Sequence, residues 1–134
     1  MNSPRINTHG LISRELCGTP LETGEGYALV TLEPTETMRT DETGLIHGGF
    51  LFGMADYTAM LAVNHPNVVL AGADVRFLKP VLAGERLTAA GKITSSGGKK
   101  RTVLVEDFRE GEKVFSGEFT CVIPEKHVMD KNGD

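Results

Sequence analysis

Three residue types that can catalyse acyl transfer lie close together in the middle of the chain. His47 precedes two glycines, Gly48 and Gly49, and the acid Asp56 follows about two helical turns later. Backbone amides at the start of a helix have no partner within the helix and lie at its positive end, so they bind an anion or a developing oxyanion. With a histidine and a carboxylate nearby, this set suits the transfer of an acyl group to water.

A plainer interpretation explains the same residues. His47 would cap a helix, Gly48 and Gly49 would form a tight turn, and Asp56 would hydrogen-bond to backbone at the seam of a dimer. The pattern of these four residues alone favours neither interpretation.

The surroundings of Asp56 make its charge notable. Residues 50–63 are apolar at eleven of fourteen positions, and Asp56 is the one charged residue among them. Burying a carboxylate is costly unless it is bonded, paired or functional, and perturbed carboxylates collect at functional sites. Gly49 and Gly53 share its helical face, and because glycine destabilises a helix interior, they indicate that a ligand or another helix comes close there.

The elements that must position these residues can be read from periodicity and turn signals. Residues 50–63 predict a helix that is apolar nearly all round and ends at Asn64-His65-Pro66, which is typical of a helix surrounded by protein. Short glycine-containing links between the later extended runs indicate hairpins and an antiparallel meander. The fold class is therefore α+β, a sheet wrapped around one long helix. The predicted strands are residues 17–22, 27–32, 68–78, 86–95, 99–109 and 112–123.

Length and composition predict a single domain over residues 1–134, with an ordered core at about 10–123 and frayed ends. The formal charge of −4 disfavours binding to nucleic acid or anionic membranes. No run approaches the roughly 18 apolar residues of a membrane span, which predicts a cytoplasmic protein. Cys17 and Cys121 are expected to be reduced and buried, and no spacing of ligands suggests a metal.

The segment that contains His47 and Asp56 resembles the signature of a known family. Residues 44–56, GLIHGGFLFGMAD, resemble the H-G-G-x₆-D signature at the start of the central helix in hotdog-fold acyl-CoA thioesterases of the PaaI type. Residues 24–28, 77–80 and 84–89 resemble further landmarks, so the likeness covers roughly residues 10–123. It implies a hotdog fold with five to six antiparallel strands around the helix, and hydrolysis of an acyl-CoA to a carboxylic acid and free CoA.

The resemblance also implies roles for the residues that match the signature. Asp56 would be the catalytic carboxylate, acting either as general base on water or as nucleophile. The amide of Gly48 or Gly49 would polarise the thioester carbonyl, and His47 would position the substrate. The site would lie between two subunits of a homodimer, or of a homotetramer, and would need no metal and no cofactor other than the coenzyme A of the substrate.

Two positions depart from the family pattern. Asp41 stands where many relatives have Asn, six residues before the histidine, and residues 59–87 lack the Ser or Thr that often follows the helix. Asp74 is the candidate substitute for that hydroxyl. Asp41 and Asp74 are thus predicted to contact the substrate.

The remaining candidates have structural alternatives. Phe52 would line an acyl pocket or pack in the core, and the cluster Lys99, Lys100 and Arg101 would bind a nucleotide phosphate or form a solvated hairpin tip. His9, His65 and His127 are interpreted as loop or terminal residues. The rival functions are a CoA-ester sensor without turnover, a hydratase or dehydratase of the same fold, and a purely structural dimer.

Overall fold

The long apolar helix lies at the centre of the computed structural model, which describes residues 4–130. It runs over Gly48–Val63, two residues longer at its start than predicted, and it contacts every strand of the sheet. Asn64 ends it in the left-handed conformation, with φ 55°. The elements in chain order are α1 (Arg14–Cys17), β1 (Thr19–Gly24), β2 (Tyr27–Leu32), α2 (Gly48–Val63), β3 (Val69–Phe77), β4 (Leu87–Gly97), β5 (Lys100–Arg109) and β6 (Glu112–Val122).

Six antiparallel strands form one sheet in the order β1-β2-β4-β5-β6-β3. The predicted meander is correct for β4, β5 and β6 but wrong for β3, which pairs with β6 at the far edge instead of with β4. The link at residues 78–86 explains the crossing. Its backbone bonds to the segment before α2, through Ile46 to Val81 at 2.8 Å and Gly84 to Pro34 at 2.8 Å, and this leads the chain across to β2, where β4 pairs.

The predicted strand at residues 17–22 is wrong at its start. Ser13 caps a short helix by accepting a hydrogen bond from the Leu16 amide, and Gly18 ends that helix with φ 105°. The strand β1 therefore begins only at Thr19. Within residues 4–130, no helix has the length and apolar character that a membrane crossing requires.

A second buried acid, which the sequence analysis did not single out, lies on the inner face of the sheet. Asp107 of β5 stands opposite Ala89 of β4 and Phe115 of β6, both fully buried. Its side chain is fully buried, and neither carboxyl oxygen has a hydrogen-bond partner among residues 4–130. Burial therefore raises the pKa of Asp107 well above its ordinary value, because the charged form is desolvated.

This burial predicts a pH-dependent stability. The folded-state pKa of Asp107 lies above its unfolded value, so the free energy of unfolding is highest below the unfolded pKa and falls as pH rises to the folded pKa. Asp107→Asn removes the ionisation, and we expect it to stabilise the fold by roughly 1–3 kcal/mol at pH 8 and by much less at pH 5. Urea unfolding at both pH values measures this, and an equal effect at both would contradict it.

Candidate active site

Asp56 lies in the second half of α2 and lines a cavity of about 340 Å³. The carboxyl is partly buried, and burial raises the pKa of Asp56 to about 6. The carboxylate is therefore mostly ionised at pH 7 and more basic than an exposed one, which suits a general base. The other residues that line this cavity are Thr8, His9, Met60, Val68, Val69, Leu70 and His127.

Both cysteines interact electrostatically with Asp56. Burial first, and then the charge of Asp56, raise the pKa of both Cys17 and Cys121, the latter to about 12. Both are free thiols, and both are protonated at neutral pH, so neither is poised as a nucleophile. Cys121 is buried as expected, whereas Cys17 is only partly buried.

His47 caps the start of α2. Its Nδ1 accepts a hydrogen bond from the Gly49 amide at 2.8 Å, so the proton of the neutral ring lies on Nε2. A Cβ on Gly49 would lie 2.9 Å from Nδ1, which shows why glycine stands there. The capping interpretation of His47 is thus correct, and it separates the two glycines: the Gly49 amide is occupied, while the Gly48 amide has no acceptor within residues 4–130.

The free Gly48 amide borders a second cavity, also of about 340 Å³. A Cβ on Gly48 would lie 3.0 Å from the ring of Phe77, which is an exposed aromatic at the end of β3. An unpartnered amide at the positive end of a sixteen-residue helix is a ready donor to a carbonyl oxygen. The cavity is lined by Leu45, Ile46, Gly48, Leu51 and residues 77–81.

Within one chain, Gly48 and Asp56 cannot act on the same carbonyl. They line different cavities, and eight residues of helix separate them by about 12 Å along its axis. A single chain therefore does not bring together the parts that the sequence placed in one site.

The structure places the other two predicted acids apart from both cavities. Asp41 is exposed and accepts hydrogen bonds from the Thr43 hydroxyl and amide, which lower the pKa of Asp41. Asp74 is exposed on β3 and pairs with Arg76 at 2.7 Å. Neither meets Asp56 in the chain, so their predicted contacts with substrate stay predictions.

Phe52 and the basic cluster show features of their structural alternatives. The Phe52 ring packs against Phe119 with centroids 5.5 Å apart, and Lys99 pairs with Glu125 at 3.8 Å. The cluster nevertheless lies at the end of the sheet that holds the Asp56 cavity. Lys100 stands opposite Val122 of β6, which in turn stands opposite Val69 of β3, a residue of that cavity.

Two histidines line the Asp56 cavity although the sequence pattern predicts only loop or terminal positions for them. These are His9 and His127. Two asparagines after α2 bind the segments that carry these histidines. The Asn64 side chain bonds to the backbone of Arg5 and Asn7, before His9, and the Asn67 side chain donates to the carbonyls of residues 124 and 125, before His127. No local pattern encodes such distant contacts, and the Asn64-His65-Pro66 break by itself indicates only the end of the helix.

The model of the Thioesterase superfamily matches residues 43–116. This span contains the segment from His47 to Asp56, whereas His9 and His127 lie outside it.

Among curated relatives, methylthioribose-1-phosphate isomerase of Aquifex aeolicus is 54% identical over 117 residues, which are 87% of this chain and 26% of that protein. Transcription factor FapR of Caldanaerobacter subterraneus is 26% identical over 125 residues, 92% of this chain and 62% of that protein. The chain thus spans about a quarter of the first relative and under two thirds of the second. Acyl-coenzyme A thioesterase PaaI of Escherichia coli is 28% identical over 114 residues, 80% of this chain and 81% of that protein.

Solved structures confirm the hotdog fold. A protein of Pyrococcus horikoshii superposes with a TM-score of 0.94 at 53% identity, and the match covers 97% of this chain and 100% of that protein. The PaaI protein of E. coli superposes with a TM-score of 0.71 at 26% identity, over 77% of this chain and 80% of that one.

The cap by His47 yields a stability prediction. His47→Ala removes the acceptor of the Gly49 amide, and we expect a loss of about 1 kcal/mol in the free energy of unfolding. His47→Asn keeps a side-chain oxygen for that amide and serves as the matched control, with stability close to the unmutated chain. Urea unfolding compares the three proteins. An alanine variant as stable as the original would show that the cap contributes nothing.

Proposed function

This chain belongs to the thioesterase superfamily, and we propose that it hydrolyses the thioester bond of an acyl-CoA to release a carboxylic acid and free CoA. The observation that carries the proposal is the carboxyl of Asp56, which lines a cavity and whose pKa is raised to about 6 by burial. An acid kept in an apolar helix at the cost of desolvation, and open to a cavity, is placed to take a proton from water.

The proposed reaction uses two groups of the protein. Water attacks the thioester carbonyl and gives a proton to Asp56, while the Gly48 amide donates a hydrogen bond to the developing oxyanion. The carbon–sulfur bond then breaks, and the CoA thiolate takes up a proton. His47, whose Nε2 carries the ring proton, offers a second donor beside Gly48. These steps call for no metal and no cofactor beyond the coenzyme A of the substrate.

The two groups would meet across a dimer. Strand β3 lies at the edge of the sheet, and several of its side chains are exposed, so its free backbone groups suit pairing with another strand. Antiparallel pairing of two copies of β3 about a two-fold axis sets Val69 of one copy near Phe77 of the other. Val69 lines the Asp56 cavity and Phe77 lines the Gly48 cavity, so this pairing joins the two into one site.

The nucleotide part of the substrate also has a proposed place. Lys99, Lys100 and Arg101 lie two strands from the Asp56 cavity, at the same end of the sheet. Ammonium and guanidinium groups pair with phosphate oxygens, and the exposed ion pair of Lys99 with Glu125 is weak enough to exchange for a phosphate.

A second candidate is an acyl-CoA-binding module without turnover. The similarity to transcription factor FapR favours it, since that relative is named as a regulator and not as an enzyme. Incubation with short, long and aromatic acyl-CoAs separates the two. Release of free thiol supports hydrolysis, and saturable binding with no thiol release supports the module.

Asp56 is the proposed base of the hydrolysis, so its replacement should slow the release of thiol. Asp56→Asn removes the base, and we expect thiol release to fall by about 10²–10⁴-fold. Asp107→Asn is the matched control, because it also neutralises a buried acid of raised pKa but lies at neither cavity. An Asp56 variant as active as the Asp107 variant, both with verified folding, would refute the proposal.

The ionisation of Asp56 is also expected to set the pH dependence of thiol release. Asp56 must be ionised to accept a proton, so activity should fall about tenfold per pH unit below a pKa of about 6 and level off above it. A rate profile from pH 4.5 to 8 measures this limb, and a flat profile through pH 6 would contradict the assignment.

The Gly48 amide can be tested without disturbing the helix. Proline is tolerated at the first helical position, and His47 before it is already extended, with φ −63° and ψ 134°. Gly48→Pro therefore deletes the N–H and also adds a Cβ 3.0 Å from the Phe77 ring, and we expect thiol release to fall by about 10²–10³-fold. Gly48→Ala is the matched control, because it adds the same Cβ contact with Phe77 but keeps the N–H.

Mixing the variants tests whether the site is shared between subunits. Subunits carrying Gly48→Pro and Asp56→Asn, refolded together, form mixed dimers with one intact site each. Random assembly then restores about a quarter of the original activity, since half the dimers are mixed and half of their sites are intact. Activity no higher than that of the separate variants would place both groups in one chain.

A further inference from the structure

The Asp56 cavity contains a residue in an uncommon backbone conformation that the proposed hydrolysis does not use. His9 lines this cavity and has φ 54°, the left-handed conformation, at the start of a turn closed by the Ile12 amide bonding to the His9 carbonyl at 3.2 Å. This conformation is uncommon for residues other than glycine, although asparagine, aspartate and histidine adopt it more often than the rest. Such a conformation is retained where surrounding structure enforces it, and it concentrates at functional sites.

The surrounding structure does enforce the position of His9. The Asn64 side chain accepts from the Asn7 amide at 2.8 Å and donates to the Arg5 carbonyl at 2.8 Å, which ties the segment before His9 to the end of α2. The His9 ring lies beside the buried Tyr57, with centroids 6.4 Å apart. The segment is therefore fixed against the same helix that carries Asp56.

Only one nitrogen of the His9 ring is engaged. Nδ1 lies 2.7 Å from the hydroxyl of Thr8, a buried residue that also lines the cavity. Nε2 has no hydrogen-bond partner among residues 4–130. Burial lowers the pKa of His9, so the neutral ring is favoured at pH 7 and Nε2 is free to accept a hydrogen bond.

We propose that His9 is a further catalytic residue, whose Nε2 accepts a hydrogen bond from the attacking water while Asp56 accepts the proton that the water loses. The inference rests on the hydrolysis proposed above. As the oxygen–carbon bond forms, one water proton passes to Asp56 and the other stays on the oxygen, bonded to Nε2. The sulfur leaves with the electron pair of the carbon–sulfur bond and is protonated from solvent, and Asp56 returns its proton to solvent.

The geometry of water selects the ring form. The attacking water donates one proton to Asp56 and one to Nε2, which leaves its lone pairs free to attack the carbonyl carbon. Nε2 must therefore be unprotonated, and the ring proton must lie on Nδ1, where it is donated to the Thr8 hydroxyl. His127 does not meet this requirement. Its Nδ1 accepts the Met129 amide at 3.0 Å, which leaves the proton of its neutral ring on Nε2, and its side chain is exposed.

Two variants of His9 separate the two ring nitrogens. In His9→Asn the amide takes the place of Nδ1, suits the left-handed backbone and lacks any atom at Nε2. We expect kcat to fall roughly tenfold to a hundredfold, with KM within about twofold and an unchanged or higher Tm. In His9→Gln the side-chain oxygen reaches the Nε2 position, and most of kcat should remain. Unchanged kcat in His9→Asn, or losses in both variants that follow a fall in Tm, would overturn the proposal.

A second measurement does not depend on turnover. Nitrogen-15 NMR of the unmutated protein at pH 7 should show the proton of His9 on Nδ1 and a bare Nε2, whereas a proton on Nε2 would overturn the assignment. Asp56→Asn, assayed beside the His9 variants, keeps the two proposals apart. Full activity in Asp56→Asn refutes the base, while a loss there with full activity in His9→Asn refutes only the role of His9.

Discussion

The need to cover an apolar helix on all sides governs this structure. The helix α2 contacts all six strands, including β3, which lies at the far edge of the sheet beside β6. Every group of the candidate site is then fixed by its place on or against α2. Gly48 offers its amide at the start, Asp56 faces a cavity in the middle, and Asn64 at the end holds the segment that carries His9.

Burial sets the chemistry of the acids as well as the packing. Desolvation raises the pKa of both Asp56 and Asp107. Asp56 lines a cavity, whereas Asp107 lies on the inner face of the sheet and has no hydrogen-bond partner among residues 4–130. The first can exchange protons with water, and the second can only remain neutral or destabilise the fold. A raised pKa therefore marks a functional acid here only together with access to a cavity.

Local patterns predicted what is locally determined. The helix, the strand Tyr27–Leu32 and the hairpins of the last three strands follow from apolar runs and from turns such as Glu110 and Gly111, both with positive φ. The edge position of β3 and the arrival of His9 at the Asp56 cavity depend on contacts between residues distant in sequence, which no spacing encodes. The choice between the amides of Gly48 and Gly49 needed the orientation of one imidazole, which only coordinates supply.

The separation of Asp56 from the start of its helix has an electrostatic reason. A carboxylate in the first turn would be stabilised by the positive end of the helix, which lowers its pKa and weakens it as a base. An amide that must stabilise an oxyanion needs that same end. One helix can satisfy both only if the acid and the amide lie turns apart, as Asp56 and Gly48 do. The proposed two-fold pairing of β3 resolves this conflict, because it brings the amide of one helix to the acid of the other while each keeps the environment that its own helix provides.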